Sequence, residues 1–324
     1  VPTQDSQWCR ERLPQVSRTF AIGIAGLPEP LQMWVTVGYL LCRVADTVED
    51  APALDETHRQ ALFGAFEHAL HRGDCAPFLR LAPVLESGPD GRVCRGLDRV
   101  LAPLDAAPDP VITAIRRHVG ELASGMARFA ASRAGSPVPV FLGDQADLDD
   151  YCHVVAGTVG QLLTALFCLD QPGLNARRQT LEQSAGGFAR LLQLTNIVKD
   201  VAEDWQRGVC FLPASALARQ GVPLDALLAP EHRTGAMAAV QELVAHARTQ
   251  AADAQAYLQA LGSDAAAARR FCRFPLALAL QTLDLAADNP AVLQPGVPVK
   301  VGRAAVAAAL AACIEPRGAS EPLG

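Results

Sequence analysis

Apolar residues recur at three- and four-residue spacing along most of the chain, and the strict apolar–polar alternation of half-buried strands is scarce. The stretch MWVTVGYLLCRVADTVED (33–50) sets the pattern: an apolar helical body that ends in Asp46, Glu49 and Asp50. QLTNIVKDVAED (193–204) repeats it with Asp200, Glu203 and Asp204 in the same relative places. Ala- and Leu-rich segments of this kind predict an all-α protein. Breaks fall at GLPEP (26–30), APLDAAPDP (102–110), AGSPVPV (134–140), CLDQPGLN (168–175), FLPASAL (211–217) and DNPAVLQPGVPVKV (288–301). None is long or biased enough to be an interdomain linker, so one domain is expected over 1–324, with its core at about 8–314 and a flexible tail at 315–324.

Composition narrows the class. Half of the 324 residues are hydrophobic and 19% are charged, which excludes a disordered chain. Aromatics make up only 5% and the net charge is -6, so a nucleic-acid partner is not expected. The nine cysteines form no C-x-x-C pair and several lie in apolar segments, which suits small buried thiols in a reducing, cytoplasmic setting. No signal peptide is visible and no apolar run reaches the roughly 18 residues needed to span a bilayer. The apolar piece AAVAAALAACI (304–314) is expected to be a terminal core helix.

Residues at i, i+3 and i+4 share one helix face, so each acidic triplet projects together. Upstream polar residues extend both faces: Tyr39 and Arg43 stand seven and three before Asp46, Gln193 and Asn196 seven and four before Asp200. Clustered carboxylates beside an apolar body repel one another unless a cation sits among them. Arg or Lys side chains and a divalent metal are the candidates, and only Arg43 and Lys199 lie nearby in sequence. Mg²⁺ suits an oxygen-only donor set that leaves room for a phosphorylated ligand, with Mn²⁺ able to substitute. A single triplet would read as a solvated helix face. Two copies on such apolar bodies argue for a shared task.

Five ordered blocks make the chain resemble the squalene and phytoene synthase family of head-to-head prenyl synthases: SRTF (17–20), GYLLCRVADTVED (38–50), YCHVVAGTVG (151–160), LQLTNIVKDVAEDWQRGVCFLP (192–213), and FCRFPLALAL (271–280) with NPAVLQPGVPVKVGR (289–303). The resemblance implies an isoprenoid synthase fold with helices around a central apolar cavity. It also implies two acid-rich helices facing each other across the cavity mouth. Asp46, Glu49, Asp50, Asp200, Glu203 and Asp204 would then hold metal. Ser17, Arg18, Phe20, Arg43, Gln193, Asn196, Lys199 and Arg207 would meet substrate diphosphate. Tyr151, Tyr39 and Arg43 would be the catalytic residues, with Tyr151 at the proton-removal step.

The same resemblance implies two farnesyl diphosphates condensed through presqualene diphosphate. A squalene synthase then reduces this intermediate with NADPH; a phytoene or dehydrosqualene synthase instead loses a proton. The YCH, FCRFP and PVKVGR blocks favour squalene. A remote alternative is a non-catalytic acidic scaffold. No G-x-G-x-x-G occurs, so NADPH would bind outside a Rossmann crevice, with Asn196, Lys300 and Arg303 as candidates. Gly302 stands where squalene synthases carry a second basic residue. A monomer is expected, with peripheral membrane contact and no transmembrane helix. Ala156, Gly157 and Gly160 are expected to let helices approach, and His153 to be packed.

Overall fold

The computed structural model describes residues 3–52, 54–85 and 87–314. The tail expected to be flexible, 315–324, lies outside the described residues. Among the described residues sixteen α-helices make up most of the chain: α1 Gln4–Val16, α2 Arg18–Ala25, α3 Leu31–Asp50, α4 Glu56–Arg72, α5 Ala76–Leu81, α6 Pro89–Cys94, α7 Leu97–Asp105 and α8 Asp109–Ala134 in the first half. The second half holds α9 Gln145–Cys152, α10 Thr158–Asp170, α11 Arg178–Gln206, α12 Ala214–Arg219, α13 Arg233–Thr249, α14 Ala251–Leu261, α15 Ala266–Ala286 and α16 Arg303–Ile314. Among the described residues the sole β feature is a parallel bridge between Val140 and Cys210.

Each acid-tipped segment forms the central helix of its half. α3 packs on α1, α6, α7 and α8, and α11 packs on α13, α14 and α15, while α10 touches both and forms the seam. Their sequences explain this: Val37, Leu40, Leu41, Val44, Ala45 and Val48 bury most sides of α3, and Leu191, Leu194, Ile197, Val198, Val201 and Ala202 do the same for α11. Such helices are buried on all faces but the polar one. At the seam α10 and α11 approach closely. A Cβ on Gly160 would lie 2.9 Å from the carbonyl oxygen of Ala185 and 3.1 Å from the Ala189 methyl, so only glycine fits there.

A π-helical turn, His153–Gly157, joins α9 to α10 without a break. The resulting continuous helix, 145–170, is long and apolar enough to cross a membrane, which corrects the expectation that no such segment exists. The physical reason is its packing: half of its apolar window is buried against the protein, and a core helix meets the same length and composition criteria. His153, expected to be packed, is exposed because the π turn rotates it off the buried face. Eight of the nine cysteines are buried and Cys75 is half-buried.

Candidate active site

The first acidic triplet borders a cleft of about 640 Å³ through Asp46 and Asp50, whereas Glu49, Asp200, Glu203 and Asp204 are not among the residues that line it. Arg43, Asp46 and Asp50 line it from α3, and Arg207, Gly208 and Val209 from the segment after α11. Arg207 ties the two sides together: its guanidinium pairs with Asp204 and reaches Asp50 at 3.9 Å. Lys199 pairs with the neighbouring Asp200. Arg43 reaches Asp46 at 3.7 Å and donates from Nε to Asp90 at 2.7 Å.

Burial dominates the electrostatics of the acidic groups. Burial pushes Asp46 up to about 7, with Asp50 and Asp90 adding repulsion against the pull of Arg43. Glu49 rises to about 8, chiefly by burial and then by Asp50, although Arg133 and Arg59 oppose it. Asp204 rises to about 6 by burial, with Asp200 and Asp50 outweighed in part by Arg207. Crowded, desolvated carboxylates of this kind are the donor set a hard divalent cation favours. That is an observation about chemistry, not about a preformed cage: among the described residues no three acidic, histidine or cysteine groups gather closely enough to hold an ion.

The remaining motif residues divide in two. Ser17 caps the start of α2, accepting from the Phe20 N–H at 3.1 Å, and its hydroxyl bonds the Tyr39 phenol. The Phe20 ring lies 5.7 Å from that of Tyr39. SRTF thus packs onto the polar stripe of α3, one turn above Arg43. The side chain of Arg18 lies outside the described residues. Gln193 is half-buried and Asn196 exposed on the α11 face that also carries Lys199, Asp200 and Glu203. Lys300 and Arg303 are exposed, and neither lines the cleft; Gly302 faces open space. Asn196 is also absent from the residues that line the cleft.

Tyr151 sits in an aromatic box. Its ring stacks on Phe211 at 4.8 Å and meets Phe129 and Phe141 edge-on at 5.2 and 6.4 Å. Burial pushes its phenol well above 10, and the charges of Glu49, Asp50 and Asp46 push the same way. The box is assembled by two loops that pair along their backbones: Cys210 N–H to Pro139 O at 3.0 Å, Ala214 N–H to Leu142 O and Ser215 N–H to Gly143 O, both at 2.9 Å. In the sequence 134–140 reads only as a break, and 211–217 as a break whose first three residues close the fourth motif block. Proline and glycine marked where the helices stop, but nothing in either loop names the other as its partner.

Two arginine supports were also missed. Arg59 on α4 is 7% exposed and donates to the carbonyls of Val48, Glu49, Ala51 and Leu54. Arg133 on α8 donates to Glu49 O at 3.0 Å. The available hint was Pro52: with no N–H just past the helix, the carbonyl end of α3 needed donors from elsewhere.

An all-helical body in which two acid-tipped central helices meet at an arginine-rich cleft defines the class, the all-α isoprenoid synthase fold. The chain belongs to the squalene/phytoene synthase family, whose model matches residues 13–304. It is 29% identical over 308 residues to a probable squalene synthase of Neurospora crassa, covering 93% of this chain and 61% of that one. It is 31% identical over 304 residues to squalene synthase LSS of Botryococcus braunii, covering 92% and 62%. The chain therefore spans about three fifths of the length of these curated relatives. Among solved structures, TcSQS in complex with the ligand BPH1237 superposes with a TM-score of 0.83 at 26% identity, over 97% of this chain and 87% of that one. A dehydrosqualene synthase shares the fold, with a TM-score of 0.60 at 20% identity over 96% and 95%.

Proposed function

We propose that the protein is a squalene synthase. It condenses two farnesyl diphosphates head to head into presqualene diphosphate and then reduces that intermediate, with NADPH as the hydride source. The observation that carries the reading is Arg207 joined to Asp50 and Asp204, which draws the two acidic helix ends together over a cleft that also holds Arg43.

Each residue has a role that follows from its chemistry. Arg43 and Arg207 offer forked donors, and Lys199 a point charge, to the oxygens of a leaving diphosphate. Asp46, Asp50, Asp200 and Asp204 are the groups that would hold Mg²⁺, with Glu49 and Glu203 beside them. The ion, when bound, supplies charge compensation for the departing diphosphate. Tyr39 is held by Ser17 and Phe20, so its phenol is oriented on the α3 stripe. Tyr151 stays neutral at physiological pH because its phenol is pushed well above 10. It therefore orients or relays the proton lost during cyclopropane closure, and the released diphosphate is the stronger acceptor. The aromatic box around it excludes water from a carbocation. The buried thiols suit a reducing cytoplasm. The working state in this reading is a monomer that touches a membrane peripherally to deliver an apolar product.

The test is incubation of purified protein with farnesyl diphosphate and Mg²⁺, with and without NADPH, followed by product analysis. Squalene that forms only with NADPH is the expected result. Dehydrosqualene regardless of NADPH would overturn the reductive half, and no condensation product at all would overturn the whole reading.

A further inference from the structure

Arg43 has two carboxylates to choose between, and the geometry is uneven. Asp90 takes its Nε at 2.7 Å, while Asp46, one helical turn along α3, stands 3.7 Å from its Nη1. Asp90 comes from a different element: it sits in the first turn of α6, a helix fixed to α3 by buried Gly91, Val93 and Cys94. Gly88 and Gly91 flank it on the cleft wall.

A guanidinium carries five N–H donors in a planar fork, and an acceptor at Nε fixes the plane of the whole group. Without Asp90, the attractive partner left for Arg43 is Asp46, and an i, i+3 pair on one helix closes readily. That collapse would cost the cleft twice: Asp46 would lose its open oxygens and Arg43 its free edge. We infer that Asp90 is a positioning residue. It holds Arg43 by Nε, keeps the guanidinium from closing on Asp46 beyond the 3.7 Å contact, and presents the Nη1/Nη2 edge to a substrate diphosphate. The inference rests on the diphosphate site proposed above and adds to it a residue 40 positions beyond the first acidic triplet in the chain.

Inorganic pyrophosphate with Mg²⁺, titrated calorimetrically, is the probe, and KM and kcat for farnesyl diphosphate are read alongside. Asp90→Ala is expected to weaken pyrophosphate about tenfold, the loss of one charge-assisted hydrogen bond. Asp90→Asn and Asp90→Glu keep an acceptor for Nε and are expected to stay within about threefold of the parent. In an Arg43→Ala background, Asp90→Ala should add nothing, since its partner is gone. Asp90→Ser, too short to reach Nε, replaces the alanine variant if that one folds poorly, with the same expected loss.

Pyrophosphate bound as tightly or more tightly by Asp90→Ala would show that Asp90 merely repels anions, and overturn the inference. An equal loss with Arg43 already removed would overturn it too, by showing a general structural role. A parent protein that binds pyrophosphate while Asp90→Ala is unchanged sinks this inference alone. A parent that neither binds pyrophosphate nor turns over farnesyl diphosphate sinks the proposed site with it.

Discussion

The two acidic helix ends are near copies in sequence and are built in opposite ways. α11 ends by its own main chain. Gly208 takes φ 76°, its N–H bonds Trp205 O, and the Val209 N–H bonds Asp204 O, both at 3.0 Å. These are the two bonds of a Schellman motif, encoded entirely within WQRGV. α3 has no such option because Pro52 lacks the N–H that would close it. Its carbonyls are taken by Arg59 from α4 and Arg133 from α8. One end is local and the other depends on the rest of the fold. The difference shows in charge as well: Glu49 and Asp46 on α3 rise to about 8 and about 7, whereas Asp204 on α11, with Arg207 on its own carboxylate, reaches about 6.

The sharpest way to ask whether the two ends are chemically equivalent is to neutralise one carboxylate on each. Asp46→Asn and Asp200→Asn are both expected to lower squalene formation at least about a thousandfold, roughly 4 kcal/mol of barrier, with the helical circular dichroism unchanged. Retained activity in both would remove the metal-holding role.

Arg59→Met should separate the ends. It leaves several buried carbonyls at the α3 terminus without donors, and a loss of about 3 kcal/mol in urea unfolding is expected. A change below about 1 kcal/mol would mean that water replaces Arg59 and that α3 is not tertiary-dependent.

A pH series without divalent ions extends the contrast. Glu49 has a folded value of about 8 against an ordinary 4.5, so its neutral form favours the fold below 4.5 and that advantage disappears as pH rises through 8. Asp204 loses its share by about pH 6. Stability should therefore keep falling between pH 6 and 8, by about 2 kcal/mol at most, and Glu49→Gln should flatten this part of the curve. Mg²⁺ added at pH 8 should restore part of it. A flat profile would mean that Glu49 is already ionised in the fold.

The smallest effect expected is at the α11 end. Gly208 has open space where a Cβ would go, so Gly208→Ala meets only the left-handed backbone penalty, about 1 kcal/mol by thermal unfolding. A cost several times larger would show that α11 too relies on contacts from outside its own sequence.

Much of this was legible before any coordinates. Apolar spacing around 33–50 and 193–204 gave helices with single polar faces, because a buried helix can show charge on one stripe only. Ser17, Phe20, Tyr39, Arg43, Asp46 and Asp50 were identified from motif and spacing, and they lie along one stripe or against it. Glu49 was read as part of that face and proves almost fully buried, since the last turn of α3 is covered by α4 and α8. Lys300 and Arg303, candidates by resemblance for the nucleotide cofactor, are exposed and lie off the cleft lining. Asp90, Arg133 and the paired loops carrying Phe141 and Phe211 were not found, because each acts on a partner distant along the chain and has no periodicity of its own; Arg59 was not found either, because it reaches back from the next helix to carbonyls 5 to 11 residues away, a contact set by how α4 packs on α3.

The amino-acid order by itself determined which segments are helices, which face of each is polar, and how α11 terminates, since those depend on neighbours within a turn or two. Only the tertiary structure decided that Arg207 spans the two acidic helix ends, that Asp90 restrains Arg43, and that α3 is capped by another helix's arginine. Those outcomes depend on how helices pack in three dimensions, and packing brings together side chains whose separation in sequence carries no trace of the contact.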